Sequence, residues 1–503
     1  MIDVKQTPSS YFYLHALFAG ALLPFAFAPY ELPFLAVVSL CLLLQLVQHA
    51  KPRSSALIGY YFGLGYFGHG IYWVYFSIHH FGNAPLWLAV IIMLGMVAIL
   101  AGYIAALCWL VNKFFRQTLW ARYLLVFPAL WVSFEWFRSI LFTGFPWLSL
   151  GFSQLNTWLS GWAPVVGVFG VSWGVALTAS ALFYLFQSRL IKASQLLAIM
   201  LLCAVWGGGL GLSQIGWSEK AGESIKVALL QGNIPQEIKW MPSFLPRNIN
   251  IYEDMTLQQT EADLIIWPET AIPAFYHRIE SNVLRRLKLR AETQQQDVVM
   301  GLPVLDDARR FYFNGLLSVR QPKEIYFKRH LVPLGEYMPL KPLSTIILKF
   351  LNIPLSDFNA GADEQPLLQA AGYPFASSIC YEDVFQITSL DGLPEAAYLV
   401  NVSNDTWFGD TIAPFQHLEM ARMRALESGR YLLRSTNTGL TAIVGPKGEL
   451  LKQAPMFKRF ALTGSLTPMK GATPFVAGGW WLVLALNFVV LLTSLRCLDS
   501  ARR

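Results

Sequence analysis

Charge is what this sequence has least of: 14% of its 503 residues are Asp, Glu, Lys or Arg, against roughly 25% in ordinary soluble domains. That shortage argues against a water-soluble globule, and a hydrophobic content of 54% points to a membrane protein. Cysteine is scarce as well, and of Cys41, Cys108, Cys203, Cys380 and Cys497 only Cys380 lies outside the apolar parts and the chain end, so no partner stands near it for an intramolecular disulfide. Basic runs interleaved with aromatics are missing, so the net charge of +7 does not signal nucleic acid. There is no His and Cys cluster with ligand spacing, and neither a metal nor another cofactor is expected. Fixed-period repeats and low-complexity tracts are absent too, which sets aside solenoid and disordered architectures.

The few charges are unevenly placed, with about a dozen before Trp217 and most of the rest between Glu219 and Lys470. Apolar stretches that approach the roughly 20 residues needed to cross a bilayer occur near 11–28, 32–49, 55–78, 85–111, 122–138, 164–186, 193–213 and 474–495. The expected organisation is a polytopic α-helical membrane domain at 1–216 with seven transmembrane helices, a domain facing the periplasm or cell exterior at 217–470, and an eighth helix with a tail at 471–503. Lys5, Lys51, Arg53, Lys113, Arg116, Arg122, Arg189, Lys192, Arg496, Arg502 and Arg503 fall on one side of these spans. The positive-inside rule then puts both termini in the cytoplasm. Ala26-Phe27-Ala28 resembles a signal-peptidase site, but Pro29 directly after it argues against cleavage. Glu135 and Arg138, one helical turn apart near the outer end of the fifth span, read as an ion pair or as part of a lipid headgroup site. Trp147, in the turn-forming stretch that follows, is expected at headgroup level.

From about Ile225 the pattern changes to short β-rich runs: IKVALLQGN, ADLIIWPET, DVVMGLPV, YPFASSICYED and AAYLVNVSND. Helical patterns lie between them near 244–260, 278–294 and 414–429, the last amphipathic with Arg422, Arg424 and Glu427 among its polar residues. Two further strands are expected around the turn Gly445-Pro446-Lys447-Gly448. The whole is an α/β domain.

Three of its segments carry candidate chemistry. Pro268 closes a strand and leaves Glu269 at its tip, where an acidic residue either caps the next helix or acts as a base. Lys328, in FKRHLVPLGEY, is either a solvated surface charge or a buried cation. Cys380 ends a strand just before Tyr381-Glu382-Asp383, where a thiol is either buried and inert or kept for reaction. Taken together, the three types suit one task, because a thiol mostly protonated at neutral pH needs a base for its proton and a cation to favour the thiolate. The same ammonium, with the N–H just after the cysteine, suits the oxyanion of a tetrahedral intermediate.

WPET, the Lys before HLVPLGEY, and CYE, in that order, resemble the Glu, Lys and Cys motifs of the nitrilase (carbon-nitrogen hydrolase) superfamily. With seven spans before that domain and one after, the chain resembles the membrane-embedded acyltransferase branch that finishes bacterial lipoprotein maturation. The stretches from Gln231 to Trp240, Ser403 to Gly409 and Arg434 to Gly439 add to the likeness. The resemblance implies an α-β-β-α sandwich with Glu269 as general base, Lys328 as oxyanion stabiliser and Cys380 as nucleophile. It also implies supporting roles for Glu336, Glu382 and Tyr381, and substrate contacts at Trp240 and Trp147. The implied partners are membrane lipids, with phosphatidylethanolamine as acyl donor and a diacylglyceryl apolipoprotein as acceptor. A membrane-tethered amidase, in which water replaces the acceptor amine, and an inactive lipid- or lipoprotein-binding protein are the rival readings.

Overall fold

A computed structural model describes residues 10–115, 119–187, 193–306, 308, 311–321, 324–333, 335–337, 357–479 and 481–500. The chain forms two compact units. One takes in the chain up to Tyr75, Trp87–Ile215 and the chain from Gly478. The other is Gly216–Ala477 together with the short segment Phe76–Leu86.

The first unit is helical; six of the eight apolar stretches follow a continuous run of helix, whereas 55–78 is broken by a turn at 71–73 and 474–495 falls into Pro474–Gly478 and Trp481–Ser500. Four helices among the described residues are long and apolar enough to cross a bilayer: Leu86–Phe114, Leu119–Thr143, Trp158–Phe186 and Ala193–Ser213. Tyr11–Ala26, Phe34–Val47 and Trp481–Ser494 are apolar but shorter. Ile91, Leu94, Ile99, Leu196, Ile199 and Met200 stand exposed on these helices. A helix that is apolar on its outer as well as its inner face belongs in lipid. Small residues bring two of the helices together, since a Cβ at Gly20 or Gly65 would overlap the backbone carbonyl of Phe62 or Leu17.

One expectation for this unit needs correction. Trp147 is fully buried rather than placed at an interface, with its ring 4.9 Å from Trp73 and 6.0 Å from Phe145. The cause lies in Glu135 and Arg138, which bind the turn. Arg138 Nη1 donates to the carbonyls of Phe145 (2.7 Å) and Trp147 (2.5 Å), and the Glu135 carboxylate accepts from Leu150 N (2.8 Å) and Trp131 Nε1 (2.8 Å). Buried backbone groups near the end of a helix need such partners.

The second unit is a sandwich. Its strands, in chain order, are β1 Glu219–Lys220, β2 Ile225–Gln231, β3 Leu264–Ile266, β4 Asp297–Leu305, β5 Tyr312–Ser318, β6 Ile325–Phe327 and β7 Leu368–Ala370. There follow β8 Tyr373–Ile379, β9 Tyr398–Ser403, β10 Leu432–Thr436, β11 Ala442–Val444, β12 Leu450–Gln453, β13 Phe460–Leu466 and β14 Met469–Lys470. One six-stranded sheet runs β13-β2-β3-β4-β5-β6 and the other β12-β11-β10-β9-β8-β7, while β1 and β14 pair separately. In each sheet the three inner strands β2-β3-β4 or β8-β9-β10 are parallel and the outer pairings antiparallel. The sheets meet face to face, for Ser435 Oγ on β10 donates to the carbonyls of Leu230 (3.1 Å) and Ile266 (3.2 Å).

Helices cover both outer faces. Tyr252 and Met255 of Leu245–Leu257, with Ile279, Val283, Leu284 and Leu287, pack on the first sheet around Trp267. Leu418, Ala421 and Ala425 of Ala413–Ser428 pack on the second. The expected α-β-β-α layering is thereby observed. Strands buried on both faces read as continuous apolar runs rather than alternating ones, and β3 and β9 are buried throughout. The polar face expected for Ala413–Ser428 is corrected: Arg424 and Glu427 are wholly buried and paired at 3.0 Å, and Arg422 Nε donates to the Gly448 carbonyl at 2.8 Å.

Candidate active site

The loop after β3 carries Glu269. Trp267 N still donates to Val299 at 2.9 Å, and Ala271 N donates to Gly301 at 3.0 Å, so the intervening loop lies along β4. A Cβ at Gly301 would stand 2.9 Å from both Glu269 Cα and Thr270 N, closer than real side chains come. Glycine here is what lets the loop lie down on the strand. Glu269 itself is buried, with Oε1 accepting from Asn314 Nδ2 of β5 at 2.7 Å.

Lys328 follows β6, its N–H donating to Asn314 (2.8 Å) and its carbonyl accepting from Gly361 (2.8 Å). Only 1% of the residue is exposed. Its Nζ lies 2.8 Å from Glu336 Oε1 and 3.8 Å from Glu269 Oε1, while Glu336 Oε2 accepts from Val332 N at 2.9 Å. Burial works against the ammonium, but Glu336 and then Glu269 outweigh it and hold it above the ordinary lysine range. Lys328 is therefore a standing cation, and a solvated surface charge is excluded.

Cys380 directly follows β8 and opens a 3-10 turn, Cys380–Val384, with φ at +55°. A left-handed residue other than glycine costs about 1–2 kcal/mol and persists only where its surroundings enforce it. Two polar side chains do so. Glu382, fully buried, accepts from Ile379 N (2.7 Å) and Tyr326 OH (3.0 Å) on Oε2, and from Arg329 N (2.7 Å) and His330 N (3.1 Å) on Oε1. It thus joins the cysteine turn to the Lys328 segment. Asn401 Nδ2 on β9 donates to the Cys380 carbonyl (3.3 Å) and to Ser378 Oγ (2.9 Å). Behind Asn401, Arg434 Nη1 donates to Asn401 Oδ1 (2.5 Å) and Asp383 (2.7 Å), and its Nη2 reaches Asp405 (3.1 Å). His417 lies between Asp383 (2.8 Å) and Asp405 (3.2 Å). All of this layer is buried.

Burial pushes the Cys380 thiol well above its ordinary range, the Glu269 carboxylate adds to the shift, and the Lys328 ammonium opposes it. The resting group is a thiol, so attack on a carbonyl must be coupled to proton removal, with a carboxylate and a permanent cation beside it for that purpose. Water is nearly excluded, since Cys380 is 9% and Glu269 6% exposed.

The apolipoprotein N-acyltransferase N-terminal domain model matches residues 19–181, and the carbon-nitrogen hydrolase model matches 226–468. Over 473 residues, 94% of each chain, the sequence is 47% identical to an apolipoprotein N-acyltransferase of Methylococcus capsulatus. It is 42% identical over 500 residues to one of Nitrosomonas europaea, covering 98% of this chain and 99% of the other. It is 41% identical over 496 residues to one of Pseudomonas aeruginosa PAO1, covering 96% and 95%. This chain belongs to the apolipoprotein N-acyltransferase family.

Within that family frame, the expected site residues divide. Glu269, Lys328 and Glu336 are joined directly or through Asn314, Glu382 accepts from the backbone N–H of Arg329 next to Lys328, and Cys380 and Tyr381 sit on the turn that Glu382 holds. Tyr381 packs edge-on against Phe385 at 5.0 Å. Trp240, half-buried, directly follows the short helix Gln236–Lys239. Trp147, the other expected substrate contact, is fully buried. The side chain of Cys497 lies outside the described residues. Sequence reading missed Asn314, Asn401 and Lys239. Asn314 and Asn401 fall in β runs with nothing in their neighbours to mark them, whereas Lys239 stands beside Trp240 in a stretch already singled out.

Proposed function

We propose that this protein moves an acyl chain from a phospholipid to the α-amine of the N-terminal diacylglyceryl-cysteine of an apolipoprotein, through a thioester on Cys380. The observation that carries the reading is a buried thiol, turned into the left-handed region at a strand end, within electrostatic reach of both Glu269 and Lys328. It stands in a chain similar over nearly its whole length to apolipoprotein N-acyltransferases. Glu269 takes the thiol proton as Sγ attacks the ester carbonyl, and the oxyanion forms beside Lys328. The tetrahedral adduct collapses to the thioester, and Glu269 returns its proton to the departing lysophospholipid alkoxide. The acceptor amine then attacks the thioester, yields its proton through Glu269 to the leaving thiolate, and becomes an amide. Ping-pong kinetics follow.

The donor in this reading is phosphatidylethanolamine. All eight apolar stretches cross the inner membrane, both termini face the cytoplasm and the sandwich works at the periplasmic face, where both lipid-anchored substrates lie. Confinement to one leaflet replaces a three-dimensional search with a surface one. The test is intact-protein mass spectrometry after incubation with phosphatidylethanolamine vesicles, beside Cys380→Ala. An acyl mass labile to hydroxylamine is expected on the native protein alone. Its absence from folded protein, or its presence on Cys380→Ala, overturns the reading.

A further inference from the structure

The mechanism above leaves unused a buried cation that lies beside Glu269. Lys239 ends the short helix Gln236–Lys239, is 1% exposed, and has its carbonyl fixed by Asn248 Nδ2 at 3.1 Å. Among the described residues its Nζ has one hydrogen-bond partner, the backbone carbonyl of Glu269 at 3.3 Å, and no carboxylate within ion-pairing distance. An ammonium has three donors to satisfy, and a buried one without a paired anion is costly unless something nearby needs its field. The groups that favour its charge are Glu269 and, once ionised, Cys380. Through Glu269 it adjoins Lys328 and Glu336, and through Cys380 it adjoins Asp405 and Arg434.

Formal charges show what it supplies. Lys328 faces two carboxylates, Glu269 and Glu336, so these three leave one negative charge in a nearly dry site. Passing the thiol proton to Glu269 moves that charge without removing it. An oxyanion keeps the same total, and only a second cation brings the cluster to neutrality at each stage.

We infer that Lys239 is a positioning residue for acyl transfer, holding the Glu269 loop through its carbonyl and acting as the second cation that neutralises the Glu269–Lys328–Cys380 cluster. The inference rests on the acyl-transfer reading for its place in the reaction, but its electrostatic content concerns the thiol itself and is testable without any turnover. Burial lowers the Lys239 ammonium to about 8, with Glu269 and then Cys380 opposing the shift. The cation thus fades within an accessible pH range.

The experiment alkylates the full-length protein in detergent with iodoacetamide from about pH 6.5 to about pH 10, a range that brackets the fading of the Lys239 charge. The rate is read on the Cys380 peptide by mass spectrometry, and folding is checked by Tm. Lys239→Gln keeps an N–H donor for the Glu269 carbonyl and removes the charge. It is expected to react about tenfold more slowly at the acid end, equivalent to roughly one unit of thiol pKa. The gap should close toward the alkaline end, where the native lysine has itself lost its proton. Lys239→Arg, which stays charged throughout, is expected to match the native rate at the acid end and to lack the native bend near the point where Lys239 titrates.

A profile for folded Lys239→Gln that overlies the native one, or runs parallel to it at every pH, overturns the inference; the parallel case reduces Lys239 to a structural prop. Should Lys239→Gln not fold, a bend that persists in Lys239→Arg overturns it equally. Failure of the acyl-transfer reading shows instead as a missing thioester on native protein, with the alkylation profiles unaffected.

Discussion

The two sheets of the sandwich have matching strand orders and contribute opposite things to the site. The sheet centred on β3 carries Glu269 after β3, Asn314 on β5 and Lys328 after β6, which are groups that hold or move charge. The sheet centred on β9 carries the thiol after β8 and, beneath it, the ionic layer of Asn401, Asp383, Asp405, His417 and Arg434. In the proposed reaction one sheet supplies proton transfer and the other supplies a rigid seat for the reacting atom. Glu382 ties them together, because it comes from the cysteine turn and accepts from the backbone of the lysine segment. A site assembled this way separates its chemistry from its rigidity, and the two ought to fail differently.

The largest effect is expected on the charged side. Glu269→Gln should slow thioester formation by about 10²- to 10⁴-fold, the usual contribution of a positioned base, with little change in Tm. Lys328→Met should lower kcat/KM by about 10²- to 10³-fold, as loss of an oxyanion donor does, and single-turnover acylation measures both. If either variant keeps native acylation rates, the division of labour between the sheets breaks.

On the other sheet, Arg434→Met leaves Asp383 and Asp405 buried without their cation. A cost of about 3–5 kcal/mol is expected, seen as a Tm lowered on the order of 10 °C for a domain of this size. Between the two lies Glu382→Gln, which turns an amide N–H toward backbone donors. It should cost about 1.5–3 kcal/mol, as hydrogen bonds to a charged group do, and should lower acylation as well, because it loosens the lysine segment and the cysteine turn together. A purely thermal effect of Glu382→Gln would place it wholly with the rigid seat.

The smallest effect is a pH dependence. Burial raises the Asp405 carboxyl, but Arg434 and His417 outweigh it and hold the group well below its ordinary value. A depressed folded value means that the stabilisation is fully present above the unfolded value of about 4 and is lost as pH falls through the folded one. The Tm of the native protein should therefore fall below about pH 4 more steeply than that of Asp405→Asn.

Most of the chemistry was legible before the fold was known. Pro268 before Glu269 and the cysteine at the end of an apolar run each mark a strand end, where side chains meet a cleft, whereas the strand that ends before Lys328 appears only in the structure. Buried polar groups were not legible. Arg424, Glu427 and Arg434 look like surface residues in any local pattern, yet each is fully buried. Their burial depends on partners that in Arg434's case stand 51 and 29 residues away. Trp147 misled for the same reason, since an aromatic after a span reads as an interface anchor unless Arg138 is known to draw its turn inward.

By itself the sequence determined where the apolar helices and β runs lie and which three residue types suit the proposed reaction, because hydrophobic periodicity and nucleophile chemistry are local properties. Only the tertiary structure decided that Glu382 binds both catalytic segments, that Cys380 sits in a left-handed turn, and that Lys239 lies under Glu269 rather than in solvent. Those features arise when two sheets close on each other, and the burial that sets their energies does not exist until they have closed.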